Sequence, residues 1–347
     1  MAEPGPQRVA AIDCGTNSLR LLIADMDVQR RELADLHRRM EIVRLGQGVD
    51  ATGRLAPEAL ARTFAMLQEY ARTIADSGAS KVRLVATSAT RDASNADEFA
   101  AGVLRIVGVV PEVVSGAEEA YLSFSGATAE LGQLADSGDT DGSGNPADLP
   151  GARPAPEPPF LVIDIGGGST EFVLGTGADA DADHGLAAIS MNIGCVRLTE
   201  RHLHADPPDQ AQIAAAVADI DAALTQVAAA IPVTTARTLV GLAGSVTTLT
   251  AVALNLPGYD SARIHHARIP ASRVHEVTDH LLSQNRAERA RNGAIHPGRV
   301  DVIGAGALIL DRVMSRFGFA EMVASEHDIL DGIAWSIVTD PGRSRRP

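Results

Sequence analysis

The chain has 347 residues, 45% of them hydrophobic and 21% charged, with a formal net charge of −14. That length suffices for two domains with separate cores, and the composition excludes a disordered chain. The negative charge excludes a general nucleic-acid surface, which needs basic patches to neutralise phosphates. A polyanionic substrate would have to meet positive charge concentrated at a few arginines and a metal ion, because Lys81 is the only lysine. Cys14 and Cys195, the only cysteines, fit a reducing cytoplasm better than a disulfide framework. Met1 to Gln7 is polar and lacks the apolar core of a signal peptide. The longest charge-free stretch, Thr238 to Tyr259, is long enough to span a bilayer. Its Gly, Ser and Thr content and Pro257 fit a buried strand, turn and helix better, so no membrane partner is expected.

In chain order, Ala11-Ile-Asp13-Cys-Gly15-Thr16-Asn17-Ser18-Leu-Arg20-Leu21 reads as apolar strand, Asp-x-Gly, small polar turn, apolar strand. Leu33 to Leu45 predicts a further strand. A helix is expected from Pro57 to Asp76, with Leu60, Phe64, Leu67, Ala71 and Ile74 as its apolar stripe and Gly78 as its stop. Lys81 to Ala86 predicts a buried strand that opens into the polar Thr87 to Asn95. Asn95 and Glu98 suggest a cap for a helix through Phe99, Val103 and Ile106. A short strand near Pro111 to Val114 leads to Ser115-Gly-Ala-Glu118-Glu119 and another helix. This alternation is the grammar of an α/β domain, in which ligands collect at the carboxyl ends of strands. Arg91 and the Glu118/Glu119 pair both follow strands. Leu131 to Pro159 reads as a long exposed loop.

Leu161-Val-Ile-Asp164-Ile-Gly166-Gly167-Gly168-Ser169-Thr170-Glu171-Phe-Val-Leu174 then repeats the first hairpin without a gap. Asp13 matches Asp164, Gly15 matches Gly166 and Ser18 matches Ser169. A lone copy would be as readily a tight turn; two copies suggest related lobes facing one cleft. Glycines leave backbone N–H groups open to an anion, and Asn17, Ser18, Ser169 and Thr170 add side-chain donors. Asp164, aided by Asp13, is placed to hold a cation bridging to the same anion. Beyond it, Ile189 to Arg197 predicts a strand, Pro207 to Ala230 a helix, Thr238 to Ala243 a strand and Gly244-Ser245 the start of a helix. Further helices are expected at Pro270 to Gln284, Val300 to Arg316 and Asp328 to Val338, with a basic tail from Gly342 to Pro347. The ten histidines form no HExxH spacing and read as solvated surface groups.

Six ordered segments carry a resemblance over nearly the whole chain: Asp13 to Leu21, Ala86 to Asn95, Ser115 to Ala120, Asp164 to Glu171, Met191 to Arg197 and Gly241 to Thr248. They resemble the exopolyphosphatase/guanosine pentaphosphate phosphohydrolase (Ppx/GppA) family, within the actin, sugar-kinase and Hsp70-like superfamily. The resemblance implies an α/β fold of two actin-like (ribonuclease H-like) lobes around an interlobe cleft. Lobe I would run over residues 1–125 and lobe II over 126–325, with the final helix, about 326–340, returning to lobe I. Two departures stand out. The chain lacks the helical C-terminal domains of long members, and Ser325-Glu-His-Asp-Ile-Leu-Asp-Gly332 lacks the arginine often found before that glycine.

Hydrolysis of a terminal phosphoanhydride needs charge neutralisation, an in-line water and a group to activate it. Gly15, Thr16, Asn17, Ser18, Gly166, Gly167, Gly168, Ser169 and Thr170 are the phosphate-binding candidates, with Arg20 and Arg91 as forked donors. The resemblance matches Glu119 to the family's catalytic glutamate; the spacing alone gives a solvated helix start. Glu118 is the control that should point elsewhere, and Glu171 is a second carboxylate for water, metal or lobe closure. Arg91 has a surface pairing with Asp92 as its bland alternative. Arg197 and Gly244-Ser245 are divided between cleft contacts and plain packing. The expected cofactor is Mg²⁺, with a monovalent cation such as K⁺ in addition. The expected function is Mg²⁺-dependent release of orthophosphate from inorganic polyphosphate, of short chains given the missing domains. Hydrolysis of guanosine pentaphosphate is the alternative, and a non-catalytic sensor of polyphosphate or guanosine penta/tetraphosphate the second. A cytoplasmic homodimer without nucleic-acid partners completes the expectation.

Overall fold

The computed structural model describes residues 5–129, 131, 155–177 and 186–339. Most of the loop expected at 131–159 and the basic tail after Gly342 lie outside the described residues. Strands β1 (Gln7–Cys14), β2 (Ser18–Asp27), β3 (Glu32–Ile42), β4 (Lys81–Ala86) and β5 (Glu112–Val113) form one sheet in the order β3-β2-β1-β4-β5. β1, β2 and β3 pair antiparallel; β1, β4 and β5 pair parallel. A second sheet repeats the scheme. β6 (Phe160–Ile165), β7 (Thr170–Gly175) and β8 (Ala187–Met191) take the antiparallel places. β9 (Thr238–Leu242) and β11 (Glu321–Ala324) take the parallel ones, and β10 (Arg268–Pro270) adds an edge. Two copies of one sheet plan, each headed by an Asp-x-Gly hairpin, make the duplicated actin-like α/β fold that the resemblance implies.

The helices of the first sheet are α1 (Pro57–Ser77), α2 (Ala96–Val107) and α3 (Gly116–Thr128). α1 begins with Pro57, whose missing N–H costs nothing there, and ends at Gly78 with φ 73°. Side chains alternate along β1: Ala10, Ile12 and Cys14 join the core under α1 and α2, while Val9 and Ala11 join a separate core on the opposite face. Both faces are covered, so the middle of the strand, Val9 to Ile12, is apolar without a break. The second sheet carries α4 (Cys195–His202), α5 (Gln210–Ala230), α6 (Ala243–Ala253), α7 (Ala271–Ser283) and α8 (Ile303–Phe317). α5 is long and apolar enough to cross a membrane by length and composition, but Ala216, Ile220, Ala223, Leu224 and Val227 pack into the second core. Thr238 to Ala253 is a buried strand and helix.

The last helix, α9 (Ile329–Thr339), places Ile329, Leu330, Ile333, Ala334 and Ile337 against Val9, Ala11, Leu22 and Val85 of the first sheet. α3 lies between the sheets. Its Leu122 belongs to that same core, while Ala120, Phe124 and Ala127 pack on Phe160, Val162, Val173 and Val240 of the second sheet. A residue in the first turn of α3 is thereby held where the two lobes meet.

Three local expectations need correction. Ile189 to Arg197 is not one strand: β8 stops at Met191, and α4 starts at Cys195 after Gly194. The Cys195 N–H donates to the Gly166 carbonyl, and those of Val196 and Arg197 to Gly167, so the hairpin turn captures the chain and starts the helix. Asn95 does not cap α2 with its side chain; it hydrogen-bonds the Leu55 N–H and carbonyl across a loop instead. Not all histidines are solvated, since His265, His266 and His327 form a half-buried stack with ring centroids 3.7 and 4.8 Å apart.

Candidate active site

The two Asp-x-Gly corners touch. A Cβ on Gly167 would lie 2.9 Å from the Thr16 Cβ, and one on Gly168 2.8 Å from the Thr16 Oγ1 and 2.7 Å from the Ser88 Oγ. Only glycine lets the second corner come this close to the first. Within each corner the first glycine donates to the serine carbonyl, Gly15 to Ser18 and Gly166 to Ser169, both at 3.0 Å. The Gly15 and Gly166 amides are therefore spent inside the turn, which corrects their assignment as anion donors. The carbonyls of each corner are drawn to one side. Thr16 and Asn17 accept from Gly46, Val43 and Arg44, while Gly166 and Gly167 accept from the start of α4. Among the described residues, the amides of Thr16, Asn17, Gly167 and Gly168 have no protein acceptor.

Both corners open on one cavity. Asp13, Thr16, Asn17, Ser18 and Arg20 line it from the first lobe and Asp164, Gly166, Gly167 and Ser169 from the second; Glu119 closes it at the start of α3. It is narrow, with about 60 Å³ for water centres, room for a phosphoryl group or a few waters. The strand-to-helix corner Ala243-Gly244-Ser245 and the Cys195 side chain complete the wall.

The carboxylates are buried close together. Burial pushes Asp13 up to about 7, with Arg20 opposing and Asp328 and Asp164 adding to the rise. Burial and then Asp328 push Asp164 up to about 6, against a 2.6 Å hydrogen bond from the Ser123 hydroxyl. Burial and then Asp164 take Glu171 up to about 7, while the Ser190 and Ser169 hydroxyls oppose. Burial and the Glu171 charge raise Glu119 well above the carboxylate range, against Arg91. Ser123 and Asp328 escaped the sequence reading, because their roles come from helices packing beside the hairpins.

The arginines divide by partner. The Arg91 Nη1 donates to Glu119 at 3.0 Å and to the Val114 carbonyl at 2.8 Å, not to Asp92. Glu118 turns away to Arg83 at 3.0 Å. Arg20 lines the cavity, but its fork is filled by Asp328, with the Nε 3.3 Å from Asp13 in an ion pair that lacks hydrogen-bond alignment. Its expected pairing with phosphate is replaced by these carboxylates. Arg197 donates to the Gly168 carbonyl at 2.6 Å and pairs with Asp50 and Asp92, bracing the corner across the lobes. Arg299, which sequence reasoning missed, lies against Gly244 in the cavity wall. It has no carboxylate partner among the described residues. Burial pulls its pKa below the ordinary arginine value, yet an arginine stays charged. Its turn, His296-Pro-Gly-Arg299, carries no motif and reaches the cavity only through folding.

Three other candidates, Gly168, Thr170 and Glu171, fall outside the cavity lining. The Thr170 hydroxyl is fully buried and donates to the Ile193 carbonyl at 2.5 Å, so it is not a phosphate donor. Glu171 lies behind the wall, accepting from Ser190 at 2.7 Å. The donor set suits a hard divalent cation. The Asp13 Oδ1 is buried without a hydrogen-bond partner; the equally unpartnered Asn17 Nδ2 is a donor, suited to an anion instead. Two carboxylates with waters and phosphate oxygens are what Mg²⁺ prefers, and a cation would relieve the mutual repulsion.

A duplicated actin-like α/β fold with two amide-lined corners and a buried carboxylate on one cavity defines a phosphoryl-handling enzyme of two lobes. The family model of the Ppx/GppA phosphatase family matches residues 22–137 and 153–340, and the chain belongs to that family. It is 47% identical over 342 residues to exopolyphosphatase 2 of Mycobacterium tuberculosis, covering 95% of this chain and 98% of that one. A solved exopolyphosphatase-like protein superposes with a TM-score of 0.82 at 43% identity, covering 97% and 99%. The Ppx/GppA protein of Aquifex aeolicus gives 0.74 at 30% identity, covering 97% and 99%.

Proposed function

We propose that this protein is an exopolyphosphatase that hydrolyses the terminal phosphoanhydride of inorganic polyphosphate and releases orthophosphate. The convergence of Glu119 and both corners on one narrow cavity carries the reading, and the name of the mycobacterial relative supports the substrate. The amides of Thr16, Asn17 and Gly167, the Asn17 side chain and the Arg299 fork would take the non-bridging oxygens of the chain end. Glu119 takes a proton from the attacking water; burial and the Glu171 charge raise its affinity for that proton. Arg91 holds that carboxylate in place. The water oxygen bonds to the terminal phosphorus as the bridging P–O bond breaks, and the shortened chain leaves with the bridging oxygen. Asp164 and Asp13 would hold a Mg²⁺, which supplies charge neutralisation on the phosphoryl oxygens.

Phosphate release from polyphosphate of defined length, guanosine pentaphosphate and ATP, each with Mg²⁺, tests this reading. Glu119→Gln should lower turnover on polyphosphate by about 10²–10⁴-fold while largely sparing binding. Turnover confined to guanosine pentaphosphate would move the substrate to the nucleotide. Tight binding of polyphosphate with no release from any substrate would make the protein a sensor.

A further inference from the structure

Asp328 precedes α9 and meets Arg20, which lines the cavity. Arg20 donates to it through both terminal nitrogens, Nη1 to Oδ2 at 2.6 Å and Nη2 to Oδ1. The carboxylate is itself held on every side. Its Oδ1 accepts from the Leu330 N–H at 3.0 Å, and the Asp328 N–H donates to Asp331 at 3.0 Å. Asp331 is fixed in turn by Arg38, whose Nη2 donates to it at 2.5 Å. Parallel donation from a guanidinium to two oxygens is also how arginine takes a phosphoryl group. Arg20 is thus a cavity-lining fork, beside the first corner, that already carries an anion belonging to the protein.

We propose that Asp328 determines affinity for condensed phosphates by competing with them, as an internal anion, for the fork of Arg20. Without the competitor, Arg20 would join Arg299 and the corner amides in gripping bound phosphate. Such a grip acts on substrate and product alike, so it tightens binding without favouring the reaction. The inference rests on the proposed phosphate site but not on turnover.

Asp328→Asn keeps the shape and an acceptor for the Leu330 N–H, and Asp328→Ser keeps a shorter acceptor there. Thermal melts by circular dichroism establish that each variant folds. Calorimetry with imidodiphosphate and Mg²⁺, a probe whose P–N–P link resists hydrolysis, then reads binding directly. Either folded variant should bind imidodiphosphate about ten-fold more tightly than wild type, the scale of one charge-assisted hydrogen-bond pair. KM for tripolyphosphate should fall in step, and inhibition by orthophosphate should strengthen. Adding Arg20→Ala to Asp328→Asn should abolish the gain. Equal or weaker binding in the folded variants overturns the inference, as does a gain that survives the loss of Arg20. If wild type releases phosphate from no substrate while Asp328→Asn still tightens imidodiphosphate, the hydrolase reading fails and the competition by Asp328 stands. If wild type turns over polyphosphate while the folded variants bind as it does, the hydrolase reading stands and the competition fails.

Discussion

Asp13 and Asp164 occupy matching places in the two hairpins, but their cross-strand partners differ in charge: Asp13 faces Arg20, and Asp164 faces Glu171. The first lobe compensates its aspartate and the second adds a carboxylate, so negative charge accumulates on the second lobe. With folded values of about 7 for Asp13 and Glu171 and about 6 for Asp164, against ordinary values of 3.8 and 4.5, the folded chain binds more protons than the unfolded one across this window. Stability of the metal-free protein should therefore fall as pH rises from about 4 to about 7. Mg²⁺ should raise Tm more at about pH 8 than at about pH 5, because it binds the ionised cluster. Thermal melts at both pH values check this, and a Tm insensitive to Mg²⁺ at the higher pH would count against Asp13 and Asp164 as its ligands. Arg299→Ala should raise KM for polyphosphate by about ten-fold, the scale of a charge-assisted pair, with Arg299→Lys recovering part of the loss. An unaltered KM would remove Arg299 from the binding surface.

At the scale of elements, the site depends on the crossing of α3 and α9. A Cβ on Gly126 would overlap the Asp328 carbonyl oxygen, and one on Gly332 that of Leu122. Both obstacles are backbone, so the helices themselves would have to part. Alanine gains about 1 kcal/mol over glycine in helix propensity, whereas overpacking costs about 1–3 kcal/mol and occasionally more. Gly126→Ala should come out net destabilising by up to about 2 kcal/mol in denaturant unfolding. Activity should fall as well, since Glu119 and Asp328 flank the crossing. A stabilised variant would mean that the helices separate easily. The start of α3 after Ser115 was legible because its capping bond to the Glu118 N–H at 3.2 Å is local. The end of β8 was not, because carbonyls of the distant second corner start α4.

Over the whole molecule, residues 44–50 of the first lobe are clasped by the second. Asp50 takes both Arg197 and Arg201, Glu200 accepts from the Gly48 N–H at 3.1 Å, and Arg44 pairs with Asp301 at 2.9 Å. Partly exposed pairs of this kind contribute about 0–1 kcal/mol each and are screened by salt. Together they hold the cleft narrow without locking it. Asp50→Ala should increase the radius of gyration in small-angle scattering and raise KM, and high salt should act on wild type in the same direction. An unchanged scattering profile would show that the cores alone hold the lobes.

Sequence by itself determined the paired hairpins, the stripe of α1 and the α/β alternation, because period, glycine and caps act between near neighbours. The resemblance brought Glu119 forward, where spacing alone left it a surface residue. Tertiary structure decided which donors remain open. Thr170 spends its hydroxyl on Ile193, and Arg20 is filled by Asp328. Arg299 becomes a cavity cation only when its turn folds against Gly244. The physical reason is that a polar group's chemistry depends on which partner reaches it first in space, and that partner stood tens or hundreds of residues away.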